Sequence, residues 1–441
     1  MSHITKLKVS IGRRVVGTLA RDADNQIYFE YDHDWLASGF DLSPKTLTFS
    51  DAPQTARDPL FGGLHGVFND SLPDGWGLLL MDREFKKRFG WSPGEIGALD
   101  RLAYIGSRAM GAIEYEPVYE QEPFQEEVDL LQLATAAAAV LQGSAQDVLT
   151  ELRIQGGSPG GARPKVTVAR SKSNQTYLSG FQDLPPGYSH WIVKFRSEND
   201  ANDMGCAEKA YAEMANAAGV FMPPSDIVTI GDKKKTERFF AVRRFDRFGS
   251  NGRRHVISLA GLLYANFRVP CLDYQTVLSA TSQLTHDVAE VKRAFRLMVF
   301  NVLAHNKDDH AKNFAFIHTG KEWRLSPAFD LTYSTGMGGE HTTAILGHGN
   351  PGPDHMLKLG KLFHLEKAEQ IIGEVRYAVA LWPEIAKRWK VTSRYSSEIQ
   401  NALTKIDERF LKIVKSEFKF MESDHLSVDE ELTDYDDEIV K

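Results

Sequence analysis

The stretch Asn306-Lys307-Asp308-Asp309-His310-Ala311-Lys312-Asn313 constrains this chain more than any other. An apolar run, Ala294 to Leu303, precedes it, and Phe314-Ala315-Phe316-Ile317 follows it. Both flanks want burial, so the polar connection between them must lie at the edge of a core. Crowding carboxylates, lysines, carboxamides and the histidines His305 and His310 into that edge costs free energy unless the groups are paired. Stability does not call for it. Clusters of this kind do chemistry or hold ions.

The spacing Asp308-x-x-x-x-Asn313 narrows the chemistry. Protein kinases place a catalytic Asp and a metal-binding Asn at this separation. The Asp has to reach the acceptor hydroxyl proton, while the Asn coordinates Mg²⁺ beside the phosphates. The spacing favours Asp308 as acid/base and leaves Asp309 a supporting carboxylate. A surface turn with an ion pair to Lys307 or Lys312 is the plainer alternative. Asp330 argues against it, because Leu325-Ser326-Pro327-Ala328-Phe329-Asp330 is an apolar approach ending in one acid. Kinases present their second Mg²⁺ ligand in this way. Leu331 follows here instead of Gly, so the eukaryotic signature is not met. A binuclear phosphoesterase built on His305, Asp308, Asp309 and His310 is the rival reading. It needs further His and Asp clusters, and His341, His348 and His355 are scattered in Gly-rich sequence.

Upstream, Gly156-Gly157-Ser158-Pro159-Gly160-Gly161-Ala162-Arg163-Pro164-Lys165 is a glycine-rich loop. It fits neither Walker A nor GxGxxG. Its glycines still let backbone N–H groups approach phosphate oxygens, and Arg163 and Lys165 add positive charge. Lys194 lies in the strand-like Trp191-Ile192-Val193-Lys194-Phe195, on the face of Ile192. A lysine so placed pairs with α/β-phosphates and a helix glutamate, for which Glu208 and Glu213 are the candidates. A solvent-facing edge lysine is the alternative.

Around these motifs the chain divides. Residues 4–31 alternate as a small antiparallel sheet, a helix opens near Phe68–Gly77 and runs to about Phe89, and others are expected over Leu99–Gly106 and Leu130–Gln142. Residues 116–127 read as a linker. Strands around 166–169, 177–178, 191–195, 226–230 and 239–242 flank a helix over Met204–Ala218. Beyond 256 the pattern is helical: Leu272–Leu284, Val288–Leu303, Lys361–Leu381, Glu384–Trp389 and Ser396–Phe420. The expected divisions are a β-rich subdomain with its linker helix over 1–145, a glycine-loop lobe over 146–255, a helical lobe over 256–421 and a disordered acidic tail over 422–441.

A net charge of −7 means that any nucleic-acid contact must come from a local patch or a partner. Cys206 and Cys271 fit no zinc or disulfide pattern and suit a reducing cytoplasm. No signal peptide or membrane span is expected.

Taken together, these residues resemble the HipA family of bacterial serine/threonine kinases, the toxin halves of toxin–antitoxin modules. Phe68-Asn69-Asp70-Ser71-Leu72-Pro73-Asp74 is similar to the family's N-terminal signature, and Ile105-Gly106 with Met110-Gly111-Ala112 to its second. Ser158 to Lys165 resembles S-x-x-G-A-x-x-K, and Val242 to Arg247 resembles E-R-F-D-R with Arg243 in place of Glu. Asp308 to Phe314 resembles D-x-H-x-K-N-F, and Pro327 to Asp330 resembles P-x-[YF]-D.

The resemblance implies an α+β chain with a small β-rich N-terminal subdomain, a kinase-like mixed N-lobe and an all-helical C-lobe, as in protein kinases and PI3/4-kinases. It implies ATP and Mg²⁺ as cofactors, Asp308 as catalytic Asp, and Asn313 and Asp330 as metal ligands. Gly160, Gly161, Ala162, Lys165 and Lys194 would contact phosphates, with His310 and Lys312 beside them from the catalytic loop. Val242, Arg243 and Phe245 would flank adenine. Ser158 would be autophosphorylated, placing negative charge where the loop must receive a polyanion. The implied partners are a HipB-like DNA-binding antitoxin, through which DNA is held, and a protein substrate, in known members an aminoacyl-tRNA synthetase such as glutamyl-tRNA synthetase. Two other classes fit less well: a catalytically silent co-repressor scaffold, and a small-molecule phosphotransferase sharing the Asp-x-x-x-x-Asn logic.

Overall fold

The computed structural model describes residues 2–56, 59–119, 127–144, 152–153, 160–172, 176–181, 183–197, 200–201, 203–231, 236–249 and 251–414. Ser158 and the acidic tail from Glu422 to Lys441 lie outside them.

The N-terminal alternation does form a sheet. Strands β1 (Lys6–Ile11), β2 (Arg14–Arg21), β3 (Ile27–Tyr31), β4 (Gln54–Thr55) and β5 (Ile113–Glu116) order as β4-β3-β2-β1-β5, antiparallel throughout. Leu7, Val9, Val16, Leu19, Ile27 and Phe29 share its buried face. Helices α1 (Gly75–Phe89) and α2 (Ala98–Ile105) cover that face with Met81, Phe85, Leu99 and Leu102. Gly90 ends α1 in the left-handed conformation, φ +74°, a standard stop for a helix.

A second antiparallel sheet follows. Its strands are β6 (Lys165–Ser171), β7 (Tyr177–Ser179), β8 (Tyr188–Lys194), β9 (Ser225–Gly231) and β10 (Thr236–Arg243), in the order β7-β6-β8-β10-β9. Its two faces do different work. Val166, Val168, Val193, Phe239 and Ala241 pack with Leu130, Leu133, Ala137 and Val140 of α3 (Leu130–Leu141) in one core. On the opposite face Phe240 joins the larger core, which includes α4 (Met204–Ala217). Lys165 lies opposite Lys194, and Lys194 opposite Phe240, so one cross-strand row presents both lysines to the α4 side.

The remaining chain is mostly helical. It contains α5 (Leu259–Leu263), α6 (Tyr274–Thr285), α7 (Val288–Leu303), α8 (Pro353–Leu362), α9 (Ala368–Ala380), α10 (Trp382–Arg388) and α11 (Ser393–Val414). Two details differ from expectation. The span Lys361–Leu381 is two helices, because His364 adopts φ +54° and breaks the run. The α+β class holds, but this lobe is not all helix. It carries a three-stranded sheet of β11 (His255–Ser258), β12 (Ala315–His318) and β13 (Trp323–Leu325). Buried aromatic and β-branched residues on both sides of Gly320, at φ +96°, make a hairpin there, and β11 pairs with its first strand.

The N-terminal subdomain presses on this lobe through backbone. A Cβ on Gly66 would stand 2.0 Å from the Gly261 carbonyl oxygen in α5. Gly66→Ala is therefore expected to destabilise the protein by about 1–3 kcal/mol. A lower urea midpoint at unchanged slope would show it.

Candidate active site

The loop from Asn306 to Asn313 leaves the end of α7 and turns into β12, held from beneath by a buried hydrogen-bond chain. Asn306 Nδ2 donates to Asn301 Oδ1 (2.9 Å), Asn301 Nδ2 to Tyr274 Oη (2.9 Å), and Tyr274 Oη to Asp309 Oδ2 (2.8 Å). His341 Nδ1 meets the same Asp309 oxygen at 2.9 Å, and the Thr342 and Thr343 N–H groups donate to Oδ1. Asp309 is 1% exposed and its oxygens are engaged on both sides. It anchors the loop. Asp308, its exposed neighbour, opens into a cleft.

That cleft encloses about 1130 Å³. Of the residues singled out in the sequence, Gly161, Ala162, Lys165, Lys194, Asp308, His310 and Asp330 line it. The second sheet supplies the lysines, the glycine loop its roof, and the 306–313 loop and Asp330 its floor. Asp330 holds φ +57°, unusual for a non-glycine residue, and the turn aims its carboxylate at Lys194. Lys194 Nζ lies 2.5 Å from Asp330 Oδ1 and 2.9 Å from Glu208 Oε1. Glu213, the other helix glutamate considered, instead meets Arg388 and Trp389.

These pairings set the charges. The Lys194 ammonium, against the opposing effect of burial, holds Asp330 far below the usual carboxylate range, with Lys165 and Arg163 adding to it. Burial disfavours the charged form of Lys194, but Asp330 and Glu208 outweigh it and its pKa rises. Burial draws Lys165 down, with Asp330 opposing. Asp308 moves the other way from Asp330. Partial burial raises its pKa, and although His310 counteracts, Asp330 and Asp309 add to the rise.

Asn313, Lys312, Gly160 and His305 sit apart from the lining, whereas His310 belongs to it. Asn313 Nδ2 donates to the Asp308 carbonyl at 2.7 Å, tying the two ends of the motif together. His310 Nδ1 accepts from the Lys312 N–H at 3.2 Å, bracing the loop. Lys312 Nζ reaches Asp74 Oδ2 at 2.8 Å and lies 4.3 Å from the Phe267 ring centre. Gly160 accepts from Lys165 Nζ at 2.5 Å. His305 turns to the Ser334 carbonyl and faces a second cavity of about 550 Å³.

Val242, Arg243 and Phe245 do not line the cleft. Val242 and Arg243 are paired in β10, and Phe245 stacks on Phe329. Their motif performs another task through its neighbours. Asp246 accepts from Arg244, Arg247 and the Gly111 N–H, while Arg244 and Arg247 reach the Ala109 and Gly111 carbonyls. This buried knot ties the second lobe to the Met110-Gly111-Ala112 turn.

Sequence reading missed Asp74, Asp200 and Tyr395 as cleft residues, while Arg163, read there as a loop charge, does line it. Asp74 stood in a motif but is 87 residues from Gly161 and 238 from Lys312, so spacing gave no signal.

The arrangement offers hard oxygen donors, the Asp330 carboxylate and the Asn313 amide, of the type Mg²⁺ takes when phosphates and water complete its shell. The ammonium of Lys194 against Asp330 marks that carboxylate as a place where positive charge is accepted. Among the described residues no group of three or more His, Cys, Asp or Glu side chains is placed to hold a metal ion by itself.

A model of the HipA N-terminal domain matches residues 7–116, and one of the HipA-like C-terminal domain matches residues 157–382. A curated relative, the serine/threonine-protein kinase toxin HipA of Shewanella oneidensis, is 25% identical over 351 residues, covering 74% of each chain. HipA in the Shewanella oneidensis MR-1 complex of HipA, HipB and operator DNA superposes with a TM-score of 0.67 at 19% identity, covering 93% of this chain and 98% of that one.

Proposed function

The chain belongs to the HipA family, and on that premise we propose that it is an ATP- and Mg²⁺-dependent serine/threonine-protein kinase, the toxin of a toxin–antitoxin pair. The observation that carries this reading is the single cleft that gathers Asp308, Asp330, Lys194, Lys165 and the Gly161–Ala162 backbone. Lysines and carboxylates meet in that cleft, with Lys194 paired to Asp330, so it can take both phosphate and a cation.

Asp308 accepts the proton of the attacking hydroxyl. Its raised pKa suits a general base, and its openness to the cleft allows an acceptor to approach. Lys194 and Lys165 receive the phosphates, with Gly160 and Ala162 offering backbone N–H groups while Asp74 holds the Gly161 N–H. Glu208, paired with Lys194 at 2.9 Å, would keep that lysine in place with Asp330 given over to the metal. Asn313 and Asp330 would hold Mg²⁺, which supplies electrostatic stabilisation of the transferring phosphoryl group. Asp309 keeps the loop rigid so that Asp308 stays aligned.

The acceptor is a protein serine or threonine, with an aminoacyl-tRNA synthetase as the family expectation and arrest of translation as the consequence. A HipB-like antitoxin would neutralise the kinase and hold DNA, in keeping with the net charge of −7. The reading places the protein in the cytoplasm; among the described residues no helix is long and apolar enough to cross a membrane.

The test is incubation of the chain with labelled ATP and a cell extract, followed by identification of the labelled protein. No labelled protein at any ATP concentration would sink the kinase reading and favour the silent co-repressor; label on small alcohols alone would favour a small-molecule phosphotransferase. Ser158 is proposed as the autophosphorylation site. Ser158→Ala is expected to remove the self-incorporated phosphate, as mass spectrometry would show, and to leave transfer to the protein acceptor in place.

A further inference from the structure

We propose that Asp74, carried by the N-terminal subdomain, is a positioning residue of the phosphate-transfer site. It holds the glycine loop at Gly161 and the catalytic-loop Lys312 in register with each other. The inference rests on the kinase reading and names a positioning contact within that site.

The argument begins with what residues 74–76 touch. Asp74 Oδ1 accepts the Gly161 N–H, and its Oδ2 accepts from Lys312 Nζ at 2.8 Å. Two residues on, the Trp76 N–H donates to the Gly161 carbonyl at 3.0 Å. Both backbone groups of Gly161 are thus captured by one short segment of another subdomain. Gly75 allows this: at φ +44°, a Cβ there would stand 2.7 Å from the Gly161 oxygen and 2.8 Å from the Ala162 Cα. The Trp76 side chain, 1% exposed, fixes the segment in the core beneath the second sheet.

Asp74 is 8% exposed, so its two bonds are screened little by solvent. A loop rich in glycine has high conformational entropy, and a phosphate site must order it before it can bind. An anchor at Gly161 lowers the cost of ordering on binding. Lys312 gains the same advantage. Its ammonium is fixed between Asp74 and the Phe267 ring instead of sampling rotamers. The carboxylate that does this is not a nucleophile, base or metal ligand in the mechanism. It acts through the groups it orients.

An opposite possibility gives the inference its edge. Asp74 occupies an N–H that a phosphate oxygen would want, and it brings negative charge to the rim. Were competition dominant, removing the charge would tighten nucleotide binding.

The experiment uses full-length Asp74→Asn, Asp74→Ala, Lys312→Ala and the Asp74→Ala/Lys312→Ala pair. ATP affinity is read by calorimetry with Mg²⁺, together with KM for ATP and kcat for phosphate transfer. Asp74→Asn keeps the size and an acceptor for Gly161, so it folds and isolates the charge. The affinity for ATP is expected to fall roughly 3-fold in Asp74→Asn and roughly 10-fold in Asp74→Ala, the scale of one charge-assisted hydrogen bond. KM for ATP should rise in parallel, with a smaller change in kcat. In the double variant the two losses should be less than additive, because each change releases the same ion pair. Unchanged or tighter ATP binding in both Asp74 variants would overturn the proposal, as would full additivity with Lys312→Ala. Failure of the unaltered chain to bind ATP would overturn the kinase reading itself, and this inference with it.

Discussion

Asp308→Asn is expected to lower phosphate transfer by about 10²–10⁴-fold while leaving the fold and ATP binding in place. The amide is nearly isosteric and cannot take the acceptor proton. Asp308 sits open at the cleft and makes its one motif contact through its carbonyl, to Asn313, so the side chain contributes little to stability. The contrast with its neighbour makes the test sharp. Asp309 carries the buried hydrogen bonds to Tyr274, His341, Thr342 and Thr343, so altering it would disturb structure first. Transfer rate and unfolding midpoint, measured together, separate the two cases. The pH profile adds a check. Because burial and the nearby carboxylates raise the Asp308 pKa, the acid limb of transfer should fall off above the pH at which an ordinary aspartate would protonate. Undiminished transfer by Asp308→Asn would remove Asp308 from the mechanism.

The largest loss of stability is expected from Asp246→Ala. Asp246 is 0% exposed, and it neutralises Arg244 and Arg247 while accepting the Gly111 N–H at 2.7 Å. Its removal leaves two buried guanidinium groups without the carboxylate they share. Breaking a buried pair in this way costs about 3–5 kcal/mol. Urea unfolding should show a correspondingly lower midpoint. Two arginines next to the carboxylate depress its pKa strongly, against burial, which opposes them. A depressed carboxylate contributes its stability above the unfolded pKa, near ~3.9. Below that pH the unfolded chain takes up a proton that the folded chain refuses, and the contribution declines. The gap between wild type and variant should therefore be full at neutral pH and narrow on acidification. A gap that widened in acid would contradict this assignment.

The same two residues show how far the chain could be read unaided. The place of Asp308 was legible because it depends on local geometry: a fixed spacing to Asn313 on one loop, between two apolar runs. Lys194 was legible for the same reason, since strand alternation separates it from Val193 and Phe195, which the structure packs in the core behind the sheet. Asp246 was legible only as part of a motif. Its motif was assigned to adenine, yet its carboxylate ties Gly111 of the N-terminal subdomain to the second lobe. The hairpin around Gly320 joins strands that are close in the chain, but its third strand, His255–Ser258, comes from far upstream and makes an expected helical lobe a mixed one.

What the sequence determined by itself was the chemistry: which carboxylates, lysines and glycines are present, in which local spacing, and which faces must be buried. Short-range periodicity and loop spacing are properties of consecutive residues, so they survive without knowledge of the fold. The tertiary structure decided the pairing of groups distant along the chain: Glu208 over Glu213 for Lys194, Asp309 as anchor beneath Asp308, Asp74 between Gly161 and Lys312. Those choices depend on where chain segments meet in space and on how much water is excluded there. Burial and distance, which no spacing encodes, set the strength and sign of each pairing.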